Sequence, residues 1–370
     1  MSQLAPNELL ALLRLQKVPL VGDINAKRLL ERCGSAEQLF KERKGALQKI
    51  DGIGTAILSG FWDAIHLEAA ERELEFIEKH NIACVFFKNE NYPKHLKHCI
   101  DAPILFFKRG NIDLTGKKII SIVGTRQITS YGTAFIAEFM EAIAPLDPVV
   151  VSGFAYGVDI TAQRAAMDHN LQTIGCLAHG LNQMYPKVHR KYVHQVEKNG
   201  GFITEFWSSS NPDRENFLKR NRIIAGISQA TVVIESAERG GSLVTADMAH
   251  GYNRDVFAVP GRSTDKYSTG CNNLIKQQKA HVLTSAADLI YLLGWKLPDN
   301  EKDNKQKELF TELSETEKSI YHYLQLNGKQ QLDTVALECD LPIFKASSSL
   351  LNMEMKGVIR PLPGKLFEAI

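Results

Sequence analysis

Asn216-Phe217-Leu218-Lys219-Arg220-Asn221-Arg222-Ile223-Ile224-Ala225-Gly226 leads, within a few residues, into Ala230-Thr231-Val232-Val233-Ile234-Glu235 and then Arg239-Gly240-Gly241-Ser242. The middle run is rich in β-branched residues, whose stiff side chains suit a buried strand. The paired glycines that follow break it with a turn, and a helical pattern resumes beyond them. A strand, a glycine turn and a helix start make an anion-binding arrangement, because the first amides of the helix have no intrahelical partner and point toward the turn. Three cations within four positions, Lys219, Arg220 and Arg222, precede that strand. Together these features imply a phosphate-bearing ligand.

Working outward, the same alternation repeats from Lys117 to about Leu293. Strands are predicted at Ile119–Val123, Pro148–Val151, Thr173–Leu177, Gly201–Glu205, Ala230–Glu235 and Asp255–Val259. Helices are expected between them, over Ser130–Ala144 and Asp159–His169 among others. Apolar strands alternating with helices imply an α/β fold with a doubly wound, parallel, Rossmann-like sheet. Ligands of such sheets sit outside the carboxyl ends of the strands. Gly124-Thr125-Arg126, Ser152-Gly153 with Gly157, and Gly240-Gly241-Ser242 all fall at strand carboxyl ends, so one surface can gather them.

The flanks read differently. Residues 1–80 are predicted to be a small all-α module. Ile50-Asp51-Gly52-Ile53-Gly54-Thr55-Ala56-Ile57-Leu58 has the glycine spacing of a helix-hairpin-helix, and Val18–Ala26 is a second hairpin with Leu20 where its first glycine would stand. Glycine lets such a backbone approach a DNA phosphate; packing is the reading preferred here. A long charged helix, Trp62–His80, follows, and residues 81–296 hold the core. Residues 297–312 are polar and mixed in charge, as a linker would be. Over 313–370, Ser314 and Glu317 make a capping box, and three helices and a two-stranded wing suggest a winged helix. Its expected recognition helix offers three serines and only Lys345 and Lys356 as cations, so packing or partner binding is as good a reading as DNA contact.

At 370 residues the chain exceeds the roughly 100–200 residues of one domain. A net charge of +2 gives no global field for a polyanion, but residues 187–222 carry eight Lys and Arg against four Asp and Glu, a local excess of +4. The six cysteines are scattered, without Cys-x-x-Cys pairs or metal-ligand spacing, so no metal is expected. With no signal segment and no membrane-length apolar run, a cytoplasmic protein without membrane contact is expected.

The glycine turns bring binding groups without a catalytic set. Arg126 supplies a forked donor suited to phosphate. Ser152-Gly153-x-x-x-Gly157 lacks the spacing of a dinucleotide fingerprint, and Asp159 is read as a helix cap. No Walker lysine follows a glycine loop, and His179, the histidine best placed for chemistry, has no visible partner. Binding without turnover and without a cofactor is the expectation.

Read together and in order, Ile122–Arg126 with Tyr131-Gly132, Val151–Asp159, Tyr185-Pro186, Phe217-x-x-Arg220-Asn221-Arg222-Ile223-Ile224-Ala225-Gly226, Gly241-Ser242, Phe257–Gly261 and Gly270–Ile275 closely resemble the DprA/Smf family of DNA-processing proteins. The resemblance spans about residues 82–290, and the flanking modules fit longer members. It implies an extended Rossmann core that binds single-stranded DNA, protects incoming strands in natural transformation, loads the RecA recombinase and dimerises through the Rossmann domain. Matched by motif, Arg126 is a phosphate-binding arginine, Arg220 and Arg222 are the cations of the Arg-Asn-Arg motif, and Phe217 is the preceding aromatic. Arg214 and Lys219 are flanking cations. The turn residues Gly124, Thr125, Ser152, Gly153, Asn221, Gly240, Gly241 and Ser242 complete the expected nucleic-acid site. On this reading Lys219, Arg220 and Arg222 face Arg126 across one groove, though Arg220 or Arg222 could instead pair internally with a carboxylate. The chain departs from the family at Tyr156, where Arg is usual, at Gln163, where His is usual, and at Lys279, where Gly is usual.

The alternative is a nucleoside-monophosphate phosphoribohydrolase-like enzyme of a related Rossmann superfamily. Its Pro-Gly-Gly-x-Gly-Thr-x-x-Glu loop is broken here: Leu243-Val244 follow the glycine pair where Gly-Thr belongs, and Asp247 stands for Glu.

Overall fold

Among the described residues, nine strands form the central sheet: β1 (Ala83–Phe86), β2 (Leu105–Gly110), β3 (Ile119–Val123), β4 (Val149–Ser152), β5 (Thr173–Cys176), β6 (Gly200–Thr204), β7 (Ala230–Val233), β8 (Asp255–Ala258) and β9 (His281–Val282). The computed structural model describes residues 4–296, 313–362 and 366–370. The spatial order is β1-β2-β6-β5-β4-β3-β7-β8-β9. Strands β6 to β9 in that order run parallel, while β1 and β2 add an antiparallel edge beside β6. From β3 the chain steps outward through β4, β5 and β6, then returns to lay β7 on the other side of β3, with Val123 opposite Val233. The reversal leaves a crevice above the carboxyl ends of β3 and β7, where such sheets bind ligands.

The sheet is covered on both faces, and the side-chain period of two sorts each strand between them. Ile119 and Val123 of β3 join one cluster with Ile223, Ile224 and Ile227. Ile120 and Ile122 join the opposite cluster with Ile136, Phe139 and Met140 from helix Ser130–Ile143. All five β3 residues are therefore buried, which explains the unbroken apolar run in the sequence.

The N-terminal helices Pro6–Lys17, Asp23–Cys33, Ala36–Lys41, Lys44–Leu47 and Ala64–Lys79 pack on the antiparallel side of the sheet. One apolar cluster runs through both, joining Leu12, Leu29 and Phe61 to Leu105, Phe107 and Trp207. Polar contacts fasten the same boundary: Trp207 Nε1 donates to Gln16 Oε1 at 2.9 Å, and the Ile104 amide donates to Asp23 Oδ1 at 2.9 Å. The expected hairpin at Ile50–Leu58 is corrected: residues after Leu47 form turns, and no helix resumes before Ala64. Glycines at 52, 54 and 60 weaken helix propagation there. In the other hairpin, Leu20 takes a left-handed φ of 61° at the position where glycine would stand.

The chain divides into two compact units, Met1–Pro298 and Asp299–Ile370. The linker expected at 297–312 lies outside the described residues. Among the described residues the C-terminal unit has three helices, Glu315–Asn327, Leu332–Glu338 and Ile343–Met355, and strands β10 (Gln330–Gln331), β11 (Ile359–Leu362) and β12 (Leu366–Ala369) in the order β10-β12-β11. It is a winged helix with its own core of Ile320, Leu324, Val335, Leu350 and Met353. The capping box is present: the Glu317 amide donates to Ser314 Oγ at 3.3 Å, and the Ser314 amide to Glu317 Oε2 at 2.7 Å. Lys356 is engaged by Glu317 at 2.7 Å, and the helix it follows exposes Phe344, Leu351 and Met355.

Candidate functional site

A cavity of about 600 Å³ opens at the β3/β7 crevice. Most of its walls come from three segments. The turn after β3 brings Gly124, Thr125 and Arg126; helix Arg214–Ile227 brings Arg214, Phe217, Arg220 and Asn221; and the turn after β7 brings Arg239, Gly240, Gly241 and Ser242. Ten residues expected from the sequence thus meet in one place. Helix Gly241–Gly251 starts on the cavity wall, and Gly240 at its N-cap supplies no side chain to the first amides. Those amides and the helix dipole favour an anion there. Gly124 is required by close approach, since a Cβ at that position would lie 2.9 Å from the Glu235 carbonyl oxygen and closer still to Val158.

The cations sort by helix phase. On helix Arg214–Ile227, positions 214, 217 and 221 recur at the spacing that shares one face, and this face with Arg220 lines the cavity. Positions 219 and 222 share another face, three residues apart, and leave the cavity. This corrects the expectation that Lys219 and Arg222 face Arg126 across the groove. Lys219 stands 3.4 Å from Glu205 and lines a separate hollow with Gln16, Lys17 and Trp207. Arg222 is buried, with its guanidinium 2.8 Å from Asp23 and paired with Glu205, and it also donates to the Asp101 carbonyl oxygen. Burial pulls its pKa down, but the Glu205 and Asp23 carboxylates outweigh this and hold it above the usual arginine value. The internal pairing weighed for Arg220 or Arg222 is thus what Arg222 does.

Arg220 lines the cavity floor but is itself buried. It donates to the Gly153 carbonyl oxygen at 2.7 Å and to that of Cys176. Burial lowers its pKa from the usual value, opposed by the neighbouring Asp159. Asp159, which lines the same cavity, accepts from the amides of Gly153 at 3.1 Å and Ala155 at 3.4 Å. The cap of helix Val158–Asp168 is instead Gly157, so Asp159 pins the preceding turn, a correction of its expected role. Gly153 lies beneath both groups: a Cβ there would sit 2.6 Å from the Arg220 guanidinium and from Asp159 Oδ2. Ser152 is buried and donates to the Ile122 carbonyl oxygen at 2.6 Å, joining β4 to β3 behind the cavity.

This leaves Arg126, Arg214 and Arg239 as exposed guanidinium groups around the opening. Arg239 lies outside the expected cations; its place directly before Gly240-Gly241 is the signal for it in the sequence. Phe217 lies between two cations, with Arg126 5.2 Å and Arg220 5.7 Å from its ring centroid. Contacts of this kind contribute about 0.5–1 kcal/mol at exposed sites, so Phe217 holds Arg126 over the cavity. Asp247 points elsewhere and pairs with Lys279 at 2.8 Å.

Residues 83–294 match the model of the family described as DNA recombination-mediator protein A, and residues 306–365 match that of the DprA winged helix domain. The putative DNA processing protein DprA of Mycobacterium tuberculosis is 32% identical over 269 residues, covering 72% of this chain and 69% of that protein. Among solved structures, the X-ray structure of DprA from Streptococcus pneumoniae is similar with a TM-score of 0.67 and 28% identity, covering 78% of this chain and 98% of that one. DNA processing protein A from Helicobacter pylori, solved for its single-stranded DNA binding mode, gives a TM-score of 0.52 and 27% identity over 57% of this chain and 95% of that one.

Proposed function

This chain belongs to the DNA recombination-mediator protein A family, DprA/Smf, and we propose that it binds single-stranded DNA in the β3/β7 crevice, protects incoming strands during natural transformation and loads RecA onto them. The observation that carries this reading is the convergence of Arg126, Arg214 and Arg239 around an uncapped helix N-terminus. Three exposed arginines suit successive phosphates of a flexible polyanion. The likeness to the Helicobacter pylori protein supports the same ligand. Arg220, Gly153 and Ser152 shape the floor and do not contact phosphate, and Arg222 and Lys219 act outside the cavity. The protein works in the cytoplasm as a homodimer joined through the Rossmann core, without metal, cofactor or membrane.

Titration of a labelled oligothymidylate across a salt series tests the site. Affinity falls with salt, and Arg126→Ala, Arg214→Ala and Arg239→Ala each lower the slope by about 0.7. Unchanged binding in all three overturns the assignment. RecA loading is checked by the lag before RecA hydrolyses ATP on single-stranded DNA, which this protein shortens. Light scattering reads the dimer as twice the mass of one chain. The phosphoribohydrolase alternative needs a carboxylate at the cavity from the position Asp247 occupies, and Asp247 is held by Lys279. Release of free base from a nucleotide panel would restore it.

A further inference from the structure

Strand β1 ends the sheet on one side, so only β2 pairs with it. Cys84 stands opposite Phe107, and just past the strand the Phe87 amide donates to the Ile104 carbonyl oxygen at 2.9 Å. Bonded and non-bonded pairs alternate along an antiparallel ladder. The bonded pairs are therefore Phe87 with Ile104, Val85 with Phe106 and Ala83 with Lys108. The N–H and carbonyl of Cys84 point away from β2, and among the described residues no hydrogen bond takes up either one. Folded proteins guard such an edge with a lysine, a proline or a bulge. Ala83-Cys84-Val85-Phe86 has none of these; Ala83 is exposed and Cys84 half-buried.

The open edge borders a hollow of about 430 Å³. Leu9 of helix Pro6–Lys17 and Leu74 and Ile77 of helix Ala64–Lys79 line it on the sheet face that Cys84 shares. Leu4 and Pro6 at the start of the chain, and Asn89 and Asn91 from the turn after β1, complete its walls. Lys108 belongs to the opposite face, with Val85 and Phe106, because side chains alternate along a strand. It lines this hollow and also a second one, which it shares with Lys94. Lys117 in the second hollow is taken by Asp147, whereas Lys94 and Lys108 enter no ion pair among the described residues. Of the acids there, Asp113 accepts from the Thr115 amide at 2.9 Å.

We propose that β1 is a docking edge for an extended peptide of a partner protein, in which an apolar residue exchanges both main-chain hydrogen bonds with Cys84 and an acidic neighbour meets Lys108. The residue opposite Cys84 shares its face and places its side chain among Leu9, Leu74 and Ile77. The residues on either side of it point to the other face, where Lys108 and Lys94 suit a carboxylate. Main-chain bonds supply the affinity of such an added strand, and the hollow selects its side chain. The recess argues against a second copy of this chain: walls from Leu4 to Asn91 admit one extended chain and not the edge of another folded sheet. In the spatial order β1 stands five strands away from β3, so an occupied edge leaves the β3/β7 crevice free.

The test titrates fluorescein-labelled Val-Glu-Leu-Glu-Val with the full chain and reads anisotropy. The peptide binds saturably. Methylating its leucine amide removes the donor to the Cys84 carbonyl oxygen and weakens binding about tenfold. Cys84→Pro removes the opposite donor with a similar loss, and the strand tolerates proline there because that N–H lies outside the ladder. Lys108→Glu weakens the peptide about threefold and leaves oligothymidylate affinity unchanged, which shows that the variant is folded. Val-Lys-Leu-Lys-Val binds more weakly than the acidic peptide. Absence of saturable binding overturns the docking edge. So does equal binding of the methylated and unmethylated peptides to the unaltered chain, a comparison that needs no variant to fold. Equal affinity for the acidic and the lysine peptide overturns the acidic partner. A lower mass of Cys84→Pro in light scattering assigns the edge to a second copy and overturns the proposal.

Discussion

Two arginines two positions apart on one helix do opposite things. Arg220 floors the ligand cavity, while Arg222 satisfies Glu205 and Asp23 in the interior. Removing one partner of a buried pair leaves an uncompensated charge, so Arg222→Ala lowers unfolding stability by about 3–5 kcal/mol. Arg126→Ala, at an exposed position, changes stability by less than about 0.5 kcal/mol while weakening oligonucleotide binding and lowering its salt slope. Urea denaturation and a binding titration on the same two proteins check both statements. Counted along the chain these arginines fall together; helix phase, which puts 214, 217 and 221 on one side and 219 and 222 on another, is legible in the spacing. The acid partners were not, because Asp23 and Glu205 are remote in sequence from Arg222.

At the scale of elements, the strands were the most legible part. Six apolar runs from Ile119 to Val259 became β3 to β8 because a doubly covered parallel sheet leaves no polar alternation to confuse the reading. The antiparallel edge and the turns at 54–62 were harder, since their form depends on what packs against them. The loop after β5 carries the prediction at this scale. His179 donates from Nδ1 to the Gly180 carbonyl oxygen at 2.8 Å and accepts at Nε2 from the Tyr185 amide at 3.2 Å, which only the neutral ring can do. Burial lowers the pKa of both His179 and His189 from the usual value of 6.5. The unfolded chain therefore binds more protons as pH falls through about 6.5, and folding stability declines below that pH. Urea midpoints should be lower at about pH 5.5 than at about pH 7.5, because the neutral ring that His179 needs between Gly180 and Tyr185 has to compete with protonation in the unfolded chain.

At the scale of the molecule, the winged helix has a core of its own and presents Phe344, Leu351 and Met355 where a recognition helix would carry cations. Removing residues 313–370 should therefore leave the affinity for a short oligonucleotide within about twofold, read in the titration that tests the cavity. The N-terminal helices are another matter. Their apolar residues and those of β2 fill one cluster, and Asp23 answers a charge buried on the far side of it. A fragment cut to the family-matched span, residues 83–294, would lay Leu105, Phe107 and Trp207 open to water and orphan one carboxylate contact of Arg222. It should be recovered from cells as aggregate, and solubility on expression checks this. The stretch that homology marks as one transferable piece is thus not a piece at all: inheritance and mechanical integrity draw their borders in different places along this chain.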